Sequence, residues 1–100
     1  MSVITKEEVM KALENVYDLE IGFDVVSLGL IYNVDIDNNN VHVNMTLTTP
    51  MCPLAGMMVQ DATEKVSAIE NIGDVKVDLI FDPPWEPSMA KEEVRRILGI

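Results

Sequence analysis

Between residues 32 and 48 the chain alternates apolar and polar positions with a period of two, and on both sides of that stretch apolar residues return every three or four positions. Tyr32, Val34 and Ile36 alternate with Asn33, Asp35 and Asp37; Val41, Val43, Met45 and Leu47 alternate with His42, Asn44, Thr46 and Thr48. Successive side chains of a strand point to opposite faces, so each run predicts a strand with one apolar face. Asn38, Asn39 and Asn40 lie between the runs and tolerate left-handed backbone at low cost, which makes the pair a β-hairpin.

Helical spacing brackets this hairpin. Thr5 followed by Glu8 is a capping-box pattern, and Val9, Leu13 and Val16 mark the apolar stripe of a helix over about residues 6–17. Leu54, Met58, Ala62, Val66 and Ile69 mark a second helix, with Pro53 suited to its first position because the missing N–H has no partner there. Gly73 and Asp74 turn the chain into a third strand over residues 75–81, where Val77 and Leu79 continue the apolar face. Strand, helix and strand in that order predict a right-handed crossover with residues 41–48 and 75–81 parallel. The prolines at 83, 84 and 87 end this strand, and Ser88 is expected to cap a last helix carrying Met89, Val94, Ile97 and Leu98, closed by Gly99. Residues 18–29 read as an ordered loop. The fold class is therefore α/β, of the α+β kind: a small mixed sheet built from a hairpin and a βαβ crossover, packed by about three helices.

Composition narrows this picture. One hundred residues make one domain, 1–100, with one core, and an aromatic content of 5% leaves aliphatic side chains to fill it. The formal charge of −10 repels phosphate backbones and anionic bilayers, and Lys91, Arg95 and Arg96 have Glu92 and Glu93 among them, so neither nucleic acid nor membrane is an expected partner. A basic protein surface suits this charge better, with steering that weakens as salt rises. A single cysteine excludes an internal disulfide, and with no basic leader or apolar stretch of about 20 residues the expected compartment is the cytoplasm.

Candidate chemistry centres on Cys52. At the amino end of a helix, free N–H groups and the helix dipole stabilise a thiolate, making a stronger nucleophile or metal ligand; packed in a core, the same thiol is inert. Nucleophilic catalysis needs a neighbouring base. His42, the only histidine, lies on the polar side of a strand and reads as an exposed polar residue, which argues against a classical enzyme. Asp18, Glu20 and Asp24 are carboxylates for the cysteine corner or, equally, caps of backbone N–H groups. One thiolate cannot complete a four-ligand zinc or iron–sulfur site, so no stably bound cofactor is expected, only a cluster shared transiently with another subunit or client. Thr46, Thr48 and Thr49 serve as strand and cap residues or as hydroxyl donors beside Cys52. Trp85 reads as a lid on the sheet or a rigid anchor for a partner, and Met51, Met57 and Met58 as core filler or an adaptable contact surface.

Asp18-Leu19-Glu20, then residues 26–32 (VSLGLIY), residues 45–53 (MTLTTPMCP) and residues 82–85 (DPPW) together resemble the MIP18 family, formerly a domain of unknown function, which includes PaaD-like and SufT-like proteins. The resemblance spans nearly all the chain. It implies a factor in iron–sulfur cluster assembly or maturation with an α/β domain, and client apoproteins or other assembly factors as partners. It also implies Cys52 as the functional and metal-contacting residue, with Asp18, Glu20, Thr49 and Trp85 in the site. Leu19 departs from the proline common at that place in related sequences, leaving both carboxylates. The competing readings are a protein-interaction scaffold built on Trp85 and, less favoured, a thiol-dependent enzyme. Small size and an open sheet edge also permit a homodimer.

Overall fold

Three asparagines and a valine ladder organise the sheet. In a computed structural model describing residues 4–18, 21–48 and 55–99, strands β1 (Ile31–Asp37) and β2 (Asn40–Met45) pair antiparallel. Asn38 and Asn39 turn between them at φ of 50° and 66°. Strand β3 (Val75–Leu79) lies parallel to β2 on its other side, so β2 is central in the order β1-β2-β3. The register sets Val34 beside Val43 and Val43 beside Val77 on one face, and Asp35, His42 and Lys76 in line on the other. The alternation over these residues thus has its expected consequence, and the parallel pairing is the one predicted from the crossover.

The asparagines do more than turn the chain. The Asn39 side chain accepts from the Ile4 N–H at 3.0 Å and donates to the Asn71 carbonyl at 3.2 Å, while the Asn40 side chain accepts from the Asp74 N–H at 2.8 Å. One polar turn therefore fastens the amino-terminal segment, the hairpin and the entry to β3.

Helices cover the apolar face. In α1 (Lys6–Leu13) the Thr5 hydroxyl accepts from the Glu8 N–H at 3.2 Å, as the capping pattern predicts. Helix α2 (Ala55–Ser67) connects β2 to β3, packs on β3 and on α1, and buries Met58, Ala62 and Val66. These side chains join Val9, Leu13, Leu28, Leu30, Val43 and Met45 in one cluster. Full burial of an aliphatic side chain contributes about 1.5–3 kcal/mol against leaving it exposed.

Two helix boundaries differ from expectation. Helix α1 stops at Leu13, four residues early, because Asn15 and Val16 close tighter turns on Ala12 and Leu13, and residues 16–18 are then drawn into pairing with 23–25. Val16 remains in the core by that route. At the other end Ser88 caps nothing: it lies inside a 3₁₀ turn, Pro87–Met89, and the chain extends through Ala90 and Lys91 before α3 (Glu92–Leu98) begins. The cause is a backbone tie, the Lys91 N–H donating to the Ser27 carbonyl at 2.9 Å, which holds this stretch extended. Of the expected apolar face only Val94 is buried; Ile97 and Leu98 are exposed. Gly99 ends α3 in the left-handed region as expected, at φ 74°.

The segment from Asp82 to Lys91 crosses the 24–30 turn. The Trp85 indole N–H donates to the Leu28 carbonyl at 2.6 Å, and the Tyr32 hydroxyl donates to the Pro83 carbonyl at 2.8 Å. Gly29, at φ 75°, lies so close beneath Met89 that an added Cβ would collide with its carbonyl. Gly22 is also left-handed, at φ 87°, but among the described residues nothing lies within 4 Å of where its Cβ would stand. Gly22→Ala is therefore expected to cost about 1 kcal/mol and Gly29→Ala roughly 2–4 kcal/mol in unfolding free energy. Thermal melts should separate them, since 1 kcal/mol shifts Tm by about 4–8 °C in a domain of this size. Equal losses would show that Met89 does not press on Gly29.

Candidate functional site

Asp18 is the best-defined member of the predicted site. The loop that carries it is closed by backbone bonds: the Asp18 N–H donates to the Phe23 carbonyl at 2.9 Å, the Gly22 N–H to the Asp18 carbonyl at 2.7 Å, and the Val25 N–H to the Val16 carbonyl at 2.9 Å. This leaves Asp18 only 3% exposed. Burial of an acid is costly unless donors compensate it. One oxygen accepts from the Ile21 N–H at 3.2 Å, and the other accepts a longer bond from the Thr48 hydroxyl at 3.4 Å. Asp18 thus both caps its own turn and links it to the chain leaving β2.

That outgoing chain is buried. The Thr46 N–H donates to the Leu30 carbonyl at 2.8 Å, and Thr46 and Leu47 are almost wholly enclosed. The Thr46 hydroxyl is buried without a hydrogen-bond partner among the described residues. Cys52, Glu20 and Thr49 lie outside the described residues, as does the helix start assigned to Pro53.

The remaining candidates fall elsewhere. Asp24 caps a turn, accepting from the Ser27 N–H at 2.9 Å, the backbone role weighed for it. His42 stands on the polar side of β2, 2.7 Å from an Asp78 oxygen, in a pair about two-fifths exposed on each side. Trp85 is half-buried against the core with its N–H bonded to the Leu28 carbonyl, so its indole covers the 24–30 turn. Among the described residues no three His, Cys, Asp or Glu side chains are grouped to hold a metal ion, and no helix is long and apolar enough to cross a membrane. Sequence reasoning passed over Tyr17, which is half-exposed beside Asp18. The available signal was a large aromatic one position past the apolar stripe of α1.

The iron–sulfur cluster assembly protein model matches residues 6–79, most of the chain and all of the sheet. The chain belongs to this family. The membership implied by the motifs around Asp18, Cys52 and Trp85 is thereby established. An iron–sulfur protein maturation auxiliary factor of Porphyromonas gingivalis is 44% identical over 96 residues, covering 95% of this chain and 91% of its own length. The maturation auxiliary factor YitW of Bacillus subtilis is 38% identical over 101 residues, covering 100% and 99%. Among solved structures, a conserved hypothetical protein of Thermotoga maritima superimposes with a TM-score of 0.88 at 55% identity, over the full length of both chains. As an iron–sulfur cluster assembly protein, the chain has the general role of an auxiliary factor in cluster assembly or maturation.

Substitutions in this assembly protein should separate structural from idle polar groups. Asp18→Ala leaves the Ile21 N–H and the Thr48 hydroxyl unpaired and is expected to cost about 1–3 kcal/mol in urea unfolding. Thr46→Val removes a hydroxyl that bonds to no described group and should keep stability within about 1 kcal/mol of the parent or raise it. A larger loss would reveal a partner for that hydroxyl. His42→Ala breaks only an exposed pair, worth less than about 1 kcal/mol, and is expected to leave cluster maturation unchanged.

Proposed function

We propose that the chain acts in the cytoplasm to assist delivery of an iron–sulfur cluster to client apoproteins, with Cys52 contacting cluster iron transiently or bonding to the client. The cluster is cargo in this reading. One thiolate meets only part of the coordination a cluster needs, so the remaining ligands come from the client, a second subunit or another assembly factor.

The observation that carries the reading is the link between Thr48 and Asp18. Cys52 follows Thr48 by four positions and precedes Ala55, the first residue of α2, by three. Four extended residues span at most about 14 Å and three about 11 Å. Chain length alone therefore keeps the thiol within that reach of Thr48, which bonds the buried Asp18, and of the first turn of α2, and a sulfur at such a helix end would be favoured as an anion. Glu20 follows Asp18 by two positions and Thr49 directly follows Thr48, so both belong to the same reading, in which Trp85 supports the site through the turn it covers. Family membership supplies the cluster chemistry.

The test is anaerobic cluster transfer to a purified apoprotein client. Cys52→Ala is expected to reduce transfer by about tenfold or more, the scale seen when a metal site loses essential support, with secondary structure and Tm retained. Transfer that persists at the parental rate would reject a direct role for the sulfur.

A further inference from the structure

Tyr17 and Met57 are two large apolar side chains exposed on one groove, 50% and 59% accessible. The groove has a volume of about 390 Å³ and is lined by these two with Met58, Gln60, Asp61 and Glu64. Its α2 wall follows from helical periodicity: Met57, Gln60, Asp61 and Glu64 stand at i, i+3, i+4 and i+7 and so share one side of the helix. A different stripe, Met58, Ala62 and Val66, points into the core. The helix therefore has two distinct faces, one buried in the protein's own interior and one exposed, with Tyr17 across the groove from the second.

Charge indicates what would fill the groove. Asp61 is neutralised by Lys65, four residues on, at 3.2 Å. Glu64 accepts only a long bond from the Gln60 side-chain amide, 3.4 Å, and has no cationic partner among the described residues. An acid at the rim of an apolar groove, on a chain with 17 acidic and seven basic residues, complements a cation next to a hydrophobic side chain. Methionine adapts its shape to an incoming side chain, and tyrosine offers a rigid apolar face with a polar edge.

We propose that this groove docks a short segment of a partner protein that presents an apolar side chain between Tyr17 and Met57 and a lysine or arginine to Glu64. Tyr17 is bonded in sequence to Asp18, and Met57 lies five positions after Cys52. A segment seated here is held beside the site assigned to cluster delivery. The inference rests on that assignment for its meaning, although the docking itself requires no iron.

The test uses short synthetic peptides and the full chain without metal. The probe alternates lysine and leucine; one control replaces leucine by serine, another replaces lysine by glutamate. The lysine–leucine peptide is expected to shift the backbone amide resonances of Tyr17, Met57, Gln60, Asp61 and Glu64, and to bind less tightly as salt rises. Combined Tyr17→Ser and Met57→Ser should weaken binding by roughly tenfold or more, as loss of central apolar anchors does. Glu64→Gln should weaken it about threefold and flatten the salt dependence, whereas Asp35→Asn on the polar face of the sheet should change nothing. Equal binding of the serine control, shifts centred on the sheet, or concentration-dependent self-association through Tyr17 in place of peptide binding would each overturn the proposal. Cys52→Ala should bind the peptide as the parent does. Failure of docking with transfer intact therefore removes the groove alone, and failure of transfer with docking intact removes the role of the sulfur alone.

Discussion

The pairing of β2 on both sides is the constraint from which the rest of the molecule follows. A central strand must satisfy backbone groups along both edges, and β2 does so with β1 antiparallel and β3 parallel. A parallel neighbour cannot be reached through a tight turn, so the chain must travel the length of the sheet and return, and α2 is that return. The path out of β2 into α2 is the stretch that contains Cys52. The motif-bearing connection is thus a topological necessity of the sheet, placed after the carboxyl end of its central strand, where crossover folds commonly bind ligands.

Polar side chains fix what hydrophobic burial leaves undetermined. Aliphatic packing holds α1, α2 and the sheet together but is non-directional. Direction comes from a few hydrogen bonds between distant segments: Asn39 to Ile4 and Asn71, Asn40 to Asp74, Asp18 to Thr48, and Trp85 to Leu28. The Asn39 and Asn40 bonds lie around the hairpin turn, whereas the Asp18 bond joins the loop after α1 to the chain leaving β2. The Trp85 strap covers the turn between them and tolerates only glycine at position 29. The assembly protein therefore carries its buried acid on a loop secured from two directions.

Legibility in the sequence tracked the range of the forces involved. The hairpin, the Thr5 cap, the α2 stripe and the Gly99 terminus were readable because each depends on residues within a few positions of one another. The premature end of α1 was not, because residues 16–18 leave the helix to pair with residues 23–25. Ser88 had the right chemistry for a cap but lies in a segment held extended by Ser27, far away in sequence. At the site, Asp18 and Thr48 were both singled out, yet their hydrogen bond crosses thirty positions, and no local pattern encodes such a contact.

By itself the sequence determined the periodicities that specify strands and helices, the parallel crossover, the acidic surface and the family motifs around Cys52. These are properties of composition and near-neighbour spacing, which the unfolded chain already possesses. Only the tertiary structure decided that Asp18 is buried rather than solvated, that Trp85 is tied to Leu28, that His42 pairs with Asp78, and that Tyr17 and Met57 are left facing solvent together. Each of these depends on which surface meets which once the sheet has closed, and burial and pairing acquire their values only then.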